Sequence, residues 1–185
     1  MKALGDECLI VKWNKNRPLD SYKRQVETRK KHYLDRSLNL PRGIGKGDTV
    51  IFKQNCEEIC LRSSYEFIYA LYLVLSHMSF EYESVRIEYN GKLYFSDFLV
   101  QDTVIEIKGM KSSKDADVSK VFTSAGYKFK ILYEKDIEEI KIYLEKSLSS
   151  VLNLNDILNR IHLCSKNREY MEFDADKLLK ELAMR

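Results

Sequence analysis

Phe67, Leu71, Val74, Leu75 and Met78 recur at the three- and four-residue intervals of one helix face, and Ser63-Ser-Tyr-Glu66 precedes them with the S-x-x-E spacing of a helix start. Beyond them the period changes to two. Residues 81–89 alternate as a strand does, Asn90-Gly91 is a two-residue hairpin turn, and residues 92–100 return antiparallel. Gln101-Asp102 makes a second tight turn into residues 103–108, which completes a three-stranded meander. A polar segment after Gly109 leads into a helix over 114–124, stopped by Gly126, and residues 128–133 form a fourth strand. This strand, helix, strand succession predicts a right-handed crossover with 103–108 and 128–133 parallel. The order is αβββαβ, an α/β (α+β) fold with a mixed central sheet.

Both flanks read as largely helical. Residues 17–39 form a helix that begins near Pro18, which suits a first turn, and ends before Pro41. Arg42-Gly-Ile-Gly-Lys-Gly-Asp48 follows as a glycine-rich loop without the G-x-x-x-x-G-K-[ST] order of a P-loop, so no nucleotide cofactor is expected. Residues 49–53 make a short strand. Over 136–185, Ile137, Ile140, Leu144 and Leu148 share a helix face, and a last helix spans 174–184. The expected organisation is a basic segment over 1–60, a core over 61–135, and a helical cover or dimer-forming segment over 136–185.

With 44% hydrophobic and 32% charged residues among 185, the chain has the composition of a folded soluble domain. Its longest apolar run, residues 67–75, is far shorter than the roughly 20 residues of a membrane span, and no signal-peptide pattern opens it, so a cytoplasmic location is expected. Cys8, Cys56, Cys60 and Cys164 do not complete a zinc ligand set, and His32, His77 and His162 are isolated. Charge is unevenly placed. Within residues 12–46, eleven basic side chains stand against three acidic ones, although the net charge of the whole chain is only +3. Lys23, Arg24, Arg29, Lys30, Lys31, Arg36, Arg42 and Lys46, interleaved with Trp13, Tyr22 and Tyr33, would attract a phosphate backbone. A solvated helix face has the same composition, so this stretch alone decides nothing.

The chemistry lies in the core. Alternation along 103–108 puts Val104, Glu106 and Lys108 on one face, and on the preceding strand Phe95, Asp97 and Leu99 share a face that the tight turn brings beside Glu106. Two adjacent carboxylates repel unless a divalent cation turns the repulsion into coordination. Magnesium takes oxygen ligands, often one or two carboxylates with phosphate oxygens, and Asp97, Glu106 and the backbone carbonyl of Ile107 fit that preference. Lys108 would orient water or offset charge developing at phosphorus. Plainer roles stand beside these: Glu66 as a helix cap, Asp97 as a surface strand residue, and Glu106 with Lys108 as an exposed ion pair.

Arg62-Ser-Ser-Tyr-Glu66, Phe80-Glu-Tyr-Glu83, Tyr94-Phe-Ser-Asp-Phe-Leu-Val100 and Val104-Ile-Glu-Ile-Lys-Gly109 resemble the successive core motifs of the PD-(D/E)XK, or restriction-endonuclease-like, nucleases. The resemblance covers about residues 60–135, in the style of phage and mobile-element enzymes: homing, junction-resolving, head-completion and TnsA-type endonucleases. It implies a magnesium-dependent endonuclease, with manganese as a substitute, acting on DNA, usually double-stranded, in a bacterial cell or phage-infected host. Glu66 matches the family's helix glutamate, Asp97 its PD aspartate, and Glu106 and Lys108 its (D/E)XK pair, while Ser96 stands where the family usually has proline. Glu83 and Lys120 fall where some members carry supporting polar residues. A site-specific, homing-like enzyme is expected, with a homodimer because one site cuts one strand. A branched-DNA nuclease and a non-catalytic nucleic-acid-binding module of the same fold remain the alternatives.

Overall fold

The computed structural model describes residue 24, residues 50–167 and residues 169–184. The expected basic helix and glycine-rich loop, with Lys23, Arg29, Lys30, Lys31, Arg36, Arg42 and Lys46, lie outside them; Arg24 is exposed and helical. In chain order the elements are β1 (Val50–Gln54), β2 (Glu57–Leu61), α1 (Ser64–Leu75), β3 (Glu81–Tyr82), β4 (Arg86–Tyr89), β5 (Lys92–Phe95), β6 (Phe98–Val100) and β7 (Thr103–Lys108). There follow α2 (Asp115–Ser124), β8 (Lys128–Tyr133), α3 (Glu134–Leu148), α4 (Leu154–Asn167), β9 (Met171–Asp174) and α5 (Ala175–Ala183). The chain is thus a mixed α and β protein. None of its described helices is long and apolar enough to cross a membrane.

A four-stranded sheet of order β3-β6-β7-β8 forms the centre, with β6 and β7 antiparallel and β7 and β8 parallel, as the alternation predicts. Its two faces bury different cores. Phe98, Val100 and Ile105 join the larger one with Phe67 and Leu71 of α1 and Ile137 and Leu144 of α3. Val104 belongs to the smaller one, under Phe122 of α2, where Phe122 stacks on Phe129 of β8 at 5.4 Å. Fully burying side chains of this size contributes roughly 1.5–3 kcal/mol each. Along the second face of β7, apolar Val104 gives way to Glu106 and Lys108, so the polar groups lie where the small core ends.

The structure corrects the meander. The strands expected over 81–89 and 92–100 are each broken, and the hairpin β4–β5 forms a separate two-stranded sheet. Glu83, at φ 50°, turns the first strand, and the second breaks at Ser96 and Asp97. Ser96 is fully buried at the break: its amide donates to the Val85 carbonyl at 3.0 Å and its Oγ accepts the Val85 amide at 3.3 Å. A proline here would lack that donor. Both expected turns are present, with Asn90 (φ 50°) and Gly91 (φ 70°) between the paired Tyr89 and Lys92, and Gln101 (φ 55°) between Val100 and Thr103.

The flanks hold a second correction. The stretch after residue 136, expected to be all helix, contains β9, which pairs in parallel with β1 in a three-stranded sheet of order β2-β1-β9. Phe52 of β1 and Phe173 of β9 stack at 5.7 Å, and both enclose Phe67 of α1. The helix α1, and with it Glu66, is clamped between the two sheets and α3.

Candidate active site

Asp97 and Glu106 face one another across the sheet. The ladder pairs Phe98 with Ile105, and one further step along the same register sets Asp97 opposite Glu106. Asp97 leaves the strand there, but its side chain continues the pattern: Oδ2 accepts the Ile107 amide at 2.7 Å. Glu106 is less well served. Its Oε2 is buried and has no hydrogen-bond donor among the described residues. A carboxylate oxygen in that position costs free energy unless it is protonated or meets a cation.

The electrostatics agree with the geometry. Burial first, then the charges of Glu106 and Glu66, push the Asp97 carboxyl well above the usual range, against the opposing pull of the Ile107 amide and Arg62. Burial likewise raises Glu106 to about 7, although Lys108 and Arg62 pull it down. The pair therefore retains a proton near neutrality until positive charge arrives.

Glu66 comes close enough to act on both carboxyl groups by charge, yet its oxygens are engaged locally. Oε1 accepts from Ser63 Oγ at 3.1 Å, and Oε2 accepts the Arg62 amide at 2.8 Å and the Tyr82 hydroxyl. Ser63 caps α1 by accepting the Glu66 amide at 3.1 Å, but the Glu66 carboxylate takes the Arg62 amide rather than that of Ser63, so the capping box is not closed, and three of about four acceptor positions on the carboxylate are filled. The Arg62 side chain crosses from this cluster to the pair: Nε donates to the Tyr82 hydroxyl, one terminal nitrogen pairs with Glu83, and the same nitrogen lies 3.9 Å from Asp97 Oδ1. Burial disfavours its charge, but Tyr82, Glu83 and Glu66 more than compensate, so the guanidinium is held firmly protonated. Glu83 is buried beside it, and its amide donates to the Asp97 carbonyl at 2.9 Å.

Lys108 shares its face with Glu106, but its ammonium bonds to Asp115, with Nζ to Oδ1 at 2.8 Å. Lys120, by contrast, is exposed on α2 and makes no ion pair among the described residues. The structure thus gathers Glu66, Glu83, Asp97, Glu106 and Lys108 around one sheet end and leaves Lys120 outside. Sequence reasoning missed Arg62, Tyr82, Asp115 and Tyr133 as members. Arg62 and Tyr82 lie within the core motifs, four positions before Glu66 and one before Glu83, and that adjacency was their only signal.

As a cation site the arrangement offers two carboxylates rather than three. Among the described residues, no group of three or more His, Cys, Asp or Glu side chains is placed to hold a metal ion. The donor chemistry nevertheless fits a hard divalent ion that keeps several waters, because one unpartnered carboxylate oxygen lies beside a second carboxylate. Comparison with known proteins gives no match to a family model, a curated protein or a solved structure.

Proposed function

We propose that this chain is a magnesium-dependent DNA endonuclease with a restriction-endonuclease-like core, site-specific in the manner of homing enzymes and working as a homodimer. The observation that carries the reading is the registered pairing of Asp97 with Glu106, in which Glu106 Oε2 is buried and unpartnered. Asp97, Glu106 and the Ile107 carbonyl would hold the ion, manganese substituting for magnesium. When bound, it supplies Lewis-acid activation of a phosphodiester and of water at neutral pH.

The protein's own groups prepare the rest. Lys108 brings an ammonium to the same face as Glu106, where it offsets charge developing on the phosphoryl oxygens. Arg62 adds a fixed positive charge on the Asp97 side, anchored by Glu83 and Tyr82. Glu66 acts through these neighbours: it holds the Arg62 amide and the Tyr82 hydroxyl, and keeps the region negative enough to favour a cation. The basic side chains of residues 12–46 would bind the duplex backbone.

Among the described residues no third carboxylate converges on the pair, which favours a second reading, a nucleic-acid-binding module without catalysis. Incubating the protein with plasmid, four-way junction and single-stranded DNA, with magnesium or with chelator, separates the two. Cleavage that requires magnesium and disappears in Asp97→Ala and Glu106→Ala is expected. Binding without cleavage of any substrate would establish the second reading, and cutting of the junction alone would make the enzyme structure-selective.

A further inference from the structure

Asp115 is a buried carboxylate on the first turn of α2, outside every motif of the site, yet three donors converge on it. Lys108 Nζ reaches Oδ1 at 2.8 Å, while the Ser112 amide at 2.9 Å and the Tyr133 hydroxyl at 2.8 Å both reach Oδ2. The register of the parallel pair explains the meeting. Lys108 of β7 is the direct partner of Tyr133 of β8, so the two side chains leave the sheet end together, and the first turn of α2 descends onto both.

From this geometry we infer that Asp115, assisted by Tyr133, is the positioning residue of the Lys108 ammonium, a role that rests on the nuclease reading given above. A lysine carries a charge on four rotatable bonds and loses rotamer entropy whenever it is fixed. Here that loss is met in advance. Oδ1 fixes the ammonium, while the Ser112 and Tyr133 bonds to Oδ2 prevent the carboxylate from rotating away. Only one of the ammonium's three donors is committed to Asp115, which leaves the others for a phosphoryl oxygen or an attacking water. The Ser112 bond also closes the 109–114 segment, and Lys111 lies over the Tyr133 ring at 5.4 Å, so the same carboxylate sets the loop that follows Lys108.

A carboxylate bonded to a catalytic lysine has an opposite interpretation, a latch that keeps the lysine from its work. The two differ in sign. If Asp115 positions the ammonium, Asp115→Asn lowers kcat by roughly ten- to a hundredfold, the scale set by loss of a group that orients another, with KM for DNA nearly unchanged. Tyr133→Phe lowers kcat several-fold, and Asp117→Asn on the exposed side of α2 leaves it as it was. The loss must also be non-additive: in a Lys108→Ala background, Asp115→Asn costs nothing further. The ammonium's own 15N–1H resonance gives a readout independent of cleavage, visible for Lys108 in the intact protein and exchange-broadened in Asp115→Asn.

A faster Asp115→Asn enzyme, additive losses with Lys108→Ala, or an unchanged ammonium resonance would each overturn the inference. A wild-type protein that cuts alongside an equally active Asp115→Asn variant defeats the inference alone. A wild-type protein that cuts no nucleic acid defeats the nuclease reading and the inference with it.

Discussion

Asp97 accepts the backbone amide of Ile107 at 2.7 Å, and so fixes its own carboxylate against the strand that bears Glu106. That bond separates two properties. Asp97→Asn retains an oxygen for the Ile107 amide and removes the like charge facing Glu106, so the metal-free protein should melt at a higher temperature at pH 8 than the wild type. Its cleavage rate should fall by roughly 10²–10³-fold, the scale of a lost electrostatic group in an active site. Thermal unfolding and plasmid cleavage on the same preparation check both, and a lower melting temperature would contradict the repulsion argument.

Stability should depend on pH in an unusual direction. Glu106 is raised from 4.5 to about 7 and Asp97 is raised well above 3.8, so each binds its proton more tightly in the folded chain than in the unfolded one. Their stabilising contribution is complete below pH 4 and is lost as pH rises through about 7. In chelator, melting should therefore drop between pH 5.5 and 8.5. Magnesium should restore it at pH 8.5 and do little at pH 5.5, where protons occupy the pair. Asp115, held down at about 2 chiefly by its bond to Lys108, stays ionised across this window and adds no slope. A melting temperature that climbs with pH in chelator would refute this account.

Placing a proline at position 96, where the nucleases that the sequence resembles usually carry one, should harm the protein. Ser96→Pro removes the amide that binds the Val85 carbonyl and the hydroxyl that accepts the Val85 amide, leaving buried groups without partners. A loss of about 2–4 kcal/mol in urea unfolding is expected, against about 1 kcal/mol for Ser96→Ala, which retains its own amide. Equal stability of the two variants would show that the strand break does not depend on this bond.

Arg62→Ala leaves Glu83 and Tyr82 without their shared donor. Removing one partner of a buried ion pair costs about 3–5 kcal/mol. The Arg62 side chain is 50% exposed, however, and water screens the loss to about 1–2 kcal/mol. Arg62→Lys should recover little of it, since an ammonium cannot bond Tyr82 and Glu83 in the guanidinium's fixed fork. Denaturant unfolding of both variants tests the point: full recovery in the lysine variant would mean that charge alone matters.

Neutralising Arg29, Lys30 and Lys31 together should weaken DNA binding and flatten its salt dependence, by up to about 0.9 in the slope of log K against log salt for each phosphate that is no longer neutralised. Titrations at several salt concentrations measure this directly, and an unchanged slope would remove these residues from the interface.

Period and order made much of the core legible. Strict alternation from Val104 to Lys108, with the turn at Gln101-Asp102, suffices to set Asp97 against Glu106, because a period of two leaves only one face for each side chain. The break at Glu83 left a local trace: Glu83 and Ser84 are two polar residues in succession, so the alternation changes phase before Val85, where the positive φ turns the chain. Asp115 was hidden for a different reason: its meeting with Lys108 and Tyr133 depends on a parallel register that no local pattern encodes. The strand β9 is four residues long, and its partner lies at the opposite end of the described chain, so nothing nearby announces it.

The pairing of β1 with β9 also constrains how the protein emerges from the ribosome. Val50 cannot meet Met171 until the intervening polypeptide has been made, which at about 5–20 residues per second takes on the order of ten seconds. Until then β1, paired with β2 alone among the described strands, has an open edge beside apolar Phe52, which only α1 is yet made to cover. The nascent chain is therefore most open to aggregation and to chaperone capture at this hairpin, and synthesis of residues 171–174 ends that vulnerability.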